Sequence, residues 1–144
     1  MSTVSDPGVV ELEFPSGSAY VAIARLAVAA LARGAGLEEE AVEELKIALS
    51  EAATNAVLIH EESSVAEPVT VRWIEQPDRV IVEVADRGPA PGEQEEVDEF
   101  DSQGFSSRMV MSRVLLEALI DGCEFVPRTD GGTVTRLMVN RAPG

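Results

Sequence analysis

The sequence holds one cysteine, Cys123, so it can form no internal disulfide. That usage suits a reducing, cytoplasmic setting. No apolar run approaches the roughly 18 residues that a membrane-spanning helix needs. The first ten residues lack both the basic start and the apolar core of a secretory signal. Basic residues are scarce: 11 Lys and Arg stand against 26 Asp and Glu, a net charge of −15. A surface of that sign repels nucleic acid and anionic lipid, so neither a direct nucleic-acid contact nor a membrane is expected. A basic protein partner fits the charge, and so does plain solubility. Repeats and long linkers are absent too.

What is present is one domain's worth of chain. The 144 residues are 45% apolar, enough to bury a core. Residues 1–8 read as a loose tail and 9–141 as a single domain. Val9-Val10-Glu11-Leu12-Glu13-Phe14 alternates as a short strand does. Residues 19–33 are alanine-rich, with Val21, Ala22, Leu26 and Leu31 at helical spacing, and Gly34 and Gly36 stop that helix. A second helix begins at Leu37 with carboxylates in its first turn and runs to about His60. Val42, Leu45, Leu49, Ala52, Ala53 and Ala56 line its buried face. His60, the one histidine, sits near the end of that helix, where capping is its plain role.

Two β-branched runs, residues 69–75 and 79–85, meet at Gln76-Pro77-Asp78 and predict a hairpin. Residues 87–107 are rich in Pro, Gly and acid and read as an acidic lid. Ser106 or Ser107 can cap a helix over residues 108–120. Two last strands, 123–126 and 133–139, turn through Thr129-Asp130-Gly131-Gly132. The order β-α-α-β-β-lid-α-β-β predicts a two-layer α/β (α+β) sandwich, with helices on one face of a mixed, mainly antiparallel sheet.

Three places carry chemistry. Ile47, Glu51, Asn55 and Ile59 share one helical row, which sets a carboxylate beside a carboxamide between apolar residues. Such a pair can orient a water or hydroxyl and hold a hard cation through oxygen; it can also be only the polar border of an amphipathic helix. In Val80-Ile81-Val82-Glu83-Val84-Ala85-Asp86, period two turns Asp86 to the core face with Val80, Val82 and Val84. A buried carboxylate there can accept from an amino group such as that of adenine, or merely bond turn amides. Gly131-Gly132-Thr133 enters the last strand, where the Thr133 hydroxyl could lie near Asp86 or the glycines could simply form a turn.

Leu49-Ser50-Glu51-Ala52-Ala53-Thr54-Asn55-Ala56-Val57 resembles the N-box of the anti-sigma-factor serine/threonine kinases. These are Bergerat-fold members of the histidine-kinase-like ATPase group. Asp86-Arg87-Gly88 is similar to the start of that family's first glycine box, Gly131-Gly132-Thr133 to its late Gly-Gly-Thr, and Ala118-Leu119-Ile120-Asp121 to the end of its last helix. The resemblance spans roughly residues 9–141. It implies ATP and Mg²⁺ as cofactors, Glu51 as general base, Asn55 as Mg²⁺ ligand, Asp86 at the adenine amino group with Gly88 letting the backbone come close, and Thr133 in support. It also implies a homodimer that binds a sigma factor and phosphorylates an anti-anti-sigma antagonist protein.

The match thins at the phosphate end. The family's next glycine is Ala90 here, between Pro89 and Pro91, and its phosphate-loop glycines have no full counterpart at Gly104-Phe105 or at Ser112-Arg113. No Lys or Arg lies between Arg87 and Arg108, while Glu93, Glu95, Glu96, Asp98, Glu99 and Asp101 crowd the stretch. Arg108 and the amides after Ser106 are the remaining candidates for phosphate affinity. Two functions stay open: a sigma-binding protein kinase, or a binding module of the same fold that sequesters a partner without turnover. A detached histidine-kinase ATPase domain fits less well, because the sequence offers no phosphoacceptor helix pair.

Overall fold

The eight elements follow the predicted order. The computed structural model describes residues 8–88 and 99–141, with side chains for 8–88 and 108–141. Strand β1 is Val9–Phe14, helix α1 Ser18–Gly34, helix α2 Glu39–Glu62, β2 Val69–Glu75, β3 Arg79–Ala85, α3 Glu99–Leu119, β4 Gly122–Pro127 and β5 Thr133–Asn140. Residues 1–7 of the expected tail and 89–98 of the acidic stretch, Ala90 included, lie outside the described residues. Gly8 is not loose, since its carbonyl accepts the Glu75 amide at 2.8 Å.

The strands form one sheet in the order β1-β2-β3-β5-β4. Every described pairing is antiparallel. The parallel component expected from sequence has a simple fate. Strand β4 runs in the direction of β3, but β5 lies between them, so the two never pair. The helices share one core with one face of the sheet. Val28, Val42, Leu45, Leu49 and Leu116 meet Val71, Trp73, Val82, Val84 and Leu137 there.

Helix α2 buries the face its sequence predicts, from Val42 to Ala56. Helix α1 is rotated from the expected face. Val21, Ala24, Val28, Ala29 and Ala32 are buried, while Leu26 is 64% exposed. Small alanines at 24, 29 and 32 let α1 lie close to its neighbours, and close packing outweighs the larger leucine. Helix α3 starts by Glu99, not at Arg108, so Ser106 and Ser107 lie within it. Gly104 and the serine pair are poor helix formers, which hid this first part in the sequence.

The opposite sheet face carries an alternating charge ladder across all five strands, Glu11–Arg72–Glu83–Arg136–Glu124 in register. Its ion pairs measure 3.4, 3.2, 3.1 and 3.4 Å. Glu83 sits at the centre, its side chain 15% exposed, between two arginines. Glu83→Ala is expected to cost about 1–3 kcal/mol in urea unfolding, because it removes the shielded carboxylate that two arginines share and leaves each only its outer partner. Glu124→Ala at the exposed edge should cost about 0–1 kcal/mol. Equal costs would show that the ladder is only surface decoration. Among the described residues no helix is long and apolar enough to cross a membrane.

Candidate functional site

The site is built along α2, one turn at a time. Glu51 and Asn55 are successive members of one row. The Asn55 Nδ2 donates to Glu51 Oε2 at 3.3 Å. Ile59, one turn on, is buried. Ile47, the other end of the expected row, is half-exposed, so the pair is enclosed from one side only. The missing wall comes from α3. Ser112 is 2% exposed, donates its hydroxyl to Glu51 Oε2, and accepts from Asn55 Nδ2 at 2.5 Å. Spacing within α3 does not point to this role for Ser112. Its one signal was a serine one turn before Leu116 on the buried stripe of a helix.

The next turn of α2 carries the second half of the site. An added Cβ on Gly88 would stand 2.1 Å from Ile59 Cγ2, so the Asp86-Arg87-Gly88 turn lies directly on the helix. A β-branched methyl cannot move that far, and no other residue fits at Gly88 without shifting the turn. Asp86 is 3% exposed, on the face that period two predicts. Its Oδ1 accepts the amides of Gly88 at 3.0 Å and Thr133 at 3.2 Å. Burial pushes the Asp86 carboxyl above the usual carboxylate range, and these two amides pull part of the way back.

Thr133 therefore reaches Asp86 through its amide, and the Asp86 amide in turn donates to the Thr133 carbonyl at 2.9 Å. The Thr133 hydroxyl is buried and has no partner. Gly132 makes this approach possible. Its φ is +96°, and a Cβ there would stand 2.0 Å from the Asp86 carbonyl oxygen. At the tip of the turn, Arg87 Nη1 pairs with Asp130 Oδ2 at 2.7 Å, which ties the two loops together.

His60 does not cap its helix. Its ring is 1% exposed and holds two loops. Nε2 accepts the Arg87 amide at 2.8 Å, so Nδ1 carries the proton of the neutral ring. Ser16 Oγ lies 2.6 Å from Nδ1 and donates in turn to the Glu67 carbonyl at 3.4 Å. The histidine thus fixes the backbone of the Asp86 turn against the start of α1.

Arg108 lies well inside α3, and its guanidinium meets Glu62 at 2.8 and 3.3 Å. Among the described residues no cluster of three His, Cys, Asp or Glu could hold a metal. Asn55 is a different kind of donor. Its Nδ2 is spent on Glu51 and Ser112, and its carbonyl oxygen is the hard atom that suits Mg²⁺. The buried, unpartnered Thr133 hydroxyl and the Asp86 carboxylate, of which only Oδ1 is taken by amides, likewise suit a ligand with a donor group.

Residues 14–139 match the family model described as a histidine kinase-like ATPase domain. The serine-protein kinase RsbW of Listeria monocytogenes serovar 1/2a is 36% identical over 88 residues, which is 61% of this chain and 55% of that protein. RsbW of Bacillus pumilus is 39% identical over 82 residues, 56% of this chain and 51% of that protein. RsbW of Oceanobacillus iheyensis is 32% identical over 85 residues, covering 59% and 54%. The chain spans about half the length of the curated relatives it matches.

Proposed function

The chain belongs to the histidine kinase-like ATPase domain family, and from that premise we propose that it is an ATP-dependent protein-serine/threonine kinase of the anti-sigma type. It binds a sigma factor and, as a homodimer, phosphorylates a serine or threonine of an anti-anti-sigma antagonist protein. One observation carries the reading. A buried carboxylate and an unpartnered buried hydroxyl, Asp86 and Thr133, stand one turn of α2 beyond the Glu51–Asn55 pair.

Asp86 accepts the adenine amino group through Oδ2, since Oδ1 is occupied by two amides. Thr133 supplies its hydroxyl to the same ring, while Gly88 and Gly132 let the turn that carries Asp86 pack against Ile59 and against the start of β5. Asn55 would hold Mg²⁺ through its amide oxygen, and a metal there would supply charge neutralisation for the phosphates. Glu51 would take the proton of the acceptor hydroxyl as that oxygen bonds to the γ-phosphorus of ATP and the bond to the β-phosphate breaks, releasing ADP. Arg108 on α3, whose guanidinium meets Glu62, is the candidate for a phosphate contact.

The second reading is a partner-binding regulator of the same fold with little or no turnover. Ser112 favours it, because its hydroxyl already fills the Glu51–Asn55 pair. Calorimetry with ATP and ADP, with and without Mg²⁺, separates the two. A micromolar dissociation constant is expected for the kinase. Millimolar or absent binding would leave only the regulator.

A further inference from the structure

A general base must lie within hydrogen-bond reach of the hydroxyl it deprotonates, and a nucleophile bonded to its base marks a transfer site. In this chain the hydroxyl on the base is its own. Ser112 Oγ donates to Glu51 Oε2 and accepts from Asn55 Nδ2, so one oxygen satisfies both residues. The contact is held by packing rather than by a mobile side chain. Ser112 is 2% exposed, and Leu116, one turn along α3, is fully buried in the core.

We propose that Ser112 stands in for the acceptor hydroxyl at Glu51, so that water or a partner's hydroxyl reaches the base only when Ser112 withdraws. The proposal rests on the reading of Glu51 as the base. Ser112 is a stand-in and not an acceptor, because a phosphate there would be buried against the Glu51 carboxylate, and like charges repel at that range. The consequence is regulatory. A partner that shifts α3 away from α2 unblocks Glu51, and the chain alone is held back from spending ATP on water.

Two readouts on the full chain test this, one of them free of nucleotide. The first is labelling of Glu51 by a water-soluble carbodiimide with glycine ethyl ester, read by peptide mass. The second is phosphate release from MgATP with water as the acceptor. Ser112→Ala should raise both, phosphate release by about 10-fold, the loss of one hydrogen-bonded competitor. Ser112→Thr keeps the hydroxyl and should raise the labelling of Glu51 far less than Ser112→Ala does.

Unchanged labelling of Glu51 in Ser112→Ala overturns the block, whatever the hydrolysis rate. Raised labelling with hydrolysis that Glu51→Gln does not abolish upholds the block and overturns Glu51 as the base. Phosphate found on Ser112 of the wild-type chain after incubation with MgATP also overturns the proposal, since Ser112 would then be an acceptor.

Discussion

Asp86→Asn is expected to weaken adenine-nucleotide binding by about 100-fold or more while leaving the fold as stable as before, or more stable. The asparagine oxygen keeps the place of Oδ1 and still accepts the amides of Gly88 and Thr133. The other carboxylate oxygen becomes an NH₂ group, and it would face the adenine amino group, donor against donor. A charge-assisted hydrogen bond is lost and a buried donor is stranded, together about 3 kcal/mol, or about 100-fold.

Stability moves the other way. The folded carboxyl titrates above its ordinary value of 3.8 because burial penalises its charge. Between that value and the raised one, the folded state binds more proton than the unfolded state. Stability therefore falls as pH rises through this window and stays at the lower level above it. The amide variant never meets that penalty. Its contribution from position 86 should be flat across the window, so at pH 7 the variant should be more stable than wild type. Urea unfolding from pH 3 to pH 8 reads this slope directly, and calorimetry reads the affinity. Binding within threefold of wild type would remove Asp86 from the adenine site.

The same residue shows what the sequence made legible. Strict alternation from Val80 to Val84 leaves only one direction for Asp86, so its burial follows from period two. The α2 face from Val42 to Ala56 is readable for the same reason, because its large apolar residues recur at one spacing. Helix α1 was not readable in this way. Where most positions are alanine, valine or leucine, several faces look equally apolar, and close helix packing chose the one with Ala24, Val28 and Ala32. Nor could Ser112 be found locally. Its role depends on which turn of α3 crosses Glu51, a tertiary fact that no spacing within α3 encodes. His60 was misplaced for a related reason. Its partners, Ser16 and Arg87, are 44 and 27 residues away, so only the folded chain shows why it is buried.

The site also divides by chemistry. The half proposed for adenine uses groups whose geometry is fixed by glycine and by β-sheet pairing, since the Thr133 carbonyl accepts the Asp86 amide at the end of the β3–β5 ladder. The transfer half depends on side chains from two helices, α2 and α3, whose contact can be remade without breaking the sheet.

Glu51→Gln isolates the second half. The amide is nearly the same size and still accepts from Asn55 Nδ2 through its oxygen, so the Asn55–Ser112 contact should persist. It cannot take a proton at neutral pH. Phosphate transfer from MgATP to the antagonist protein should therefore fall by about 10²–10⁴-fold, the contribution of a positioned general base. Nucleotide affinity should stay within about threefold, because Asp86 and Thr133, the groups proposed for adenine, lie beyond Asn55 at the next turn of α2. That split is the informative part. A variant that loses transfer and affinity together would mark Glu51 as a structural or metal-holding group. One that transfers label as well as wild type would show that the hydroxyl is deprotonated elsewhere, and that the bond between Ser112 and Glu51 is a packing contact with no bearing on catalysis.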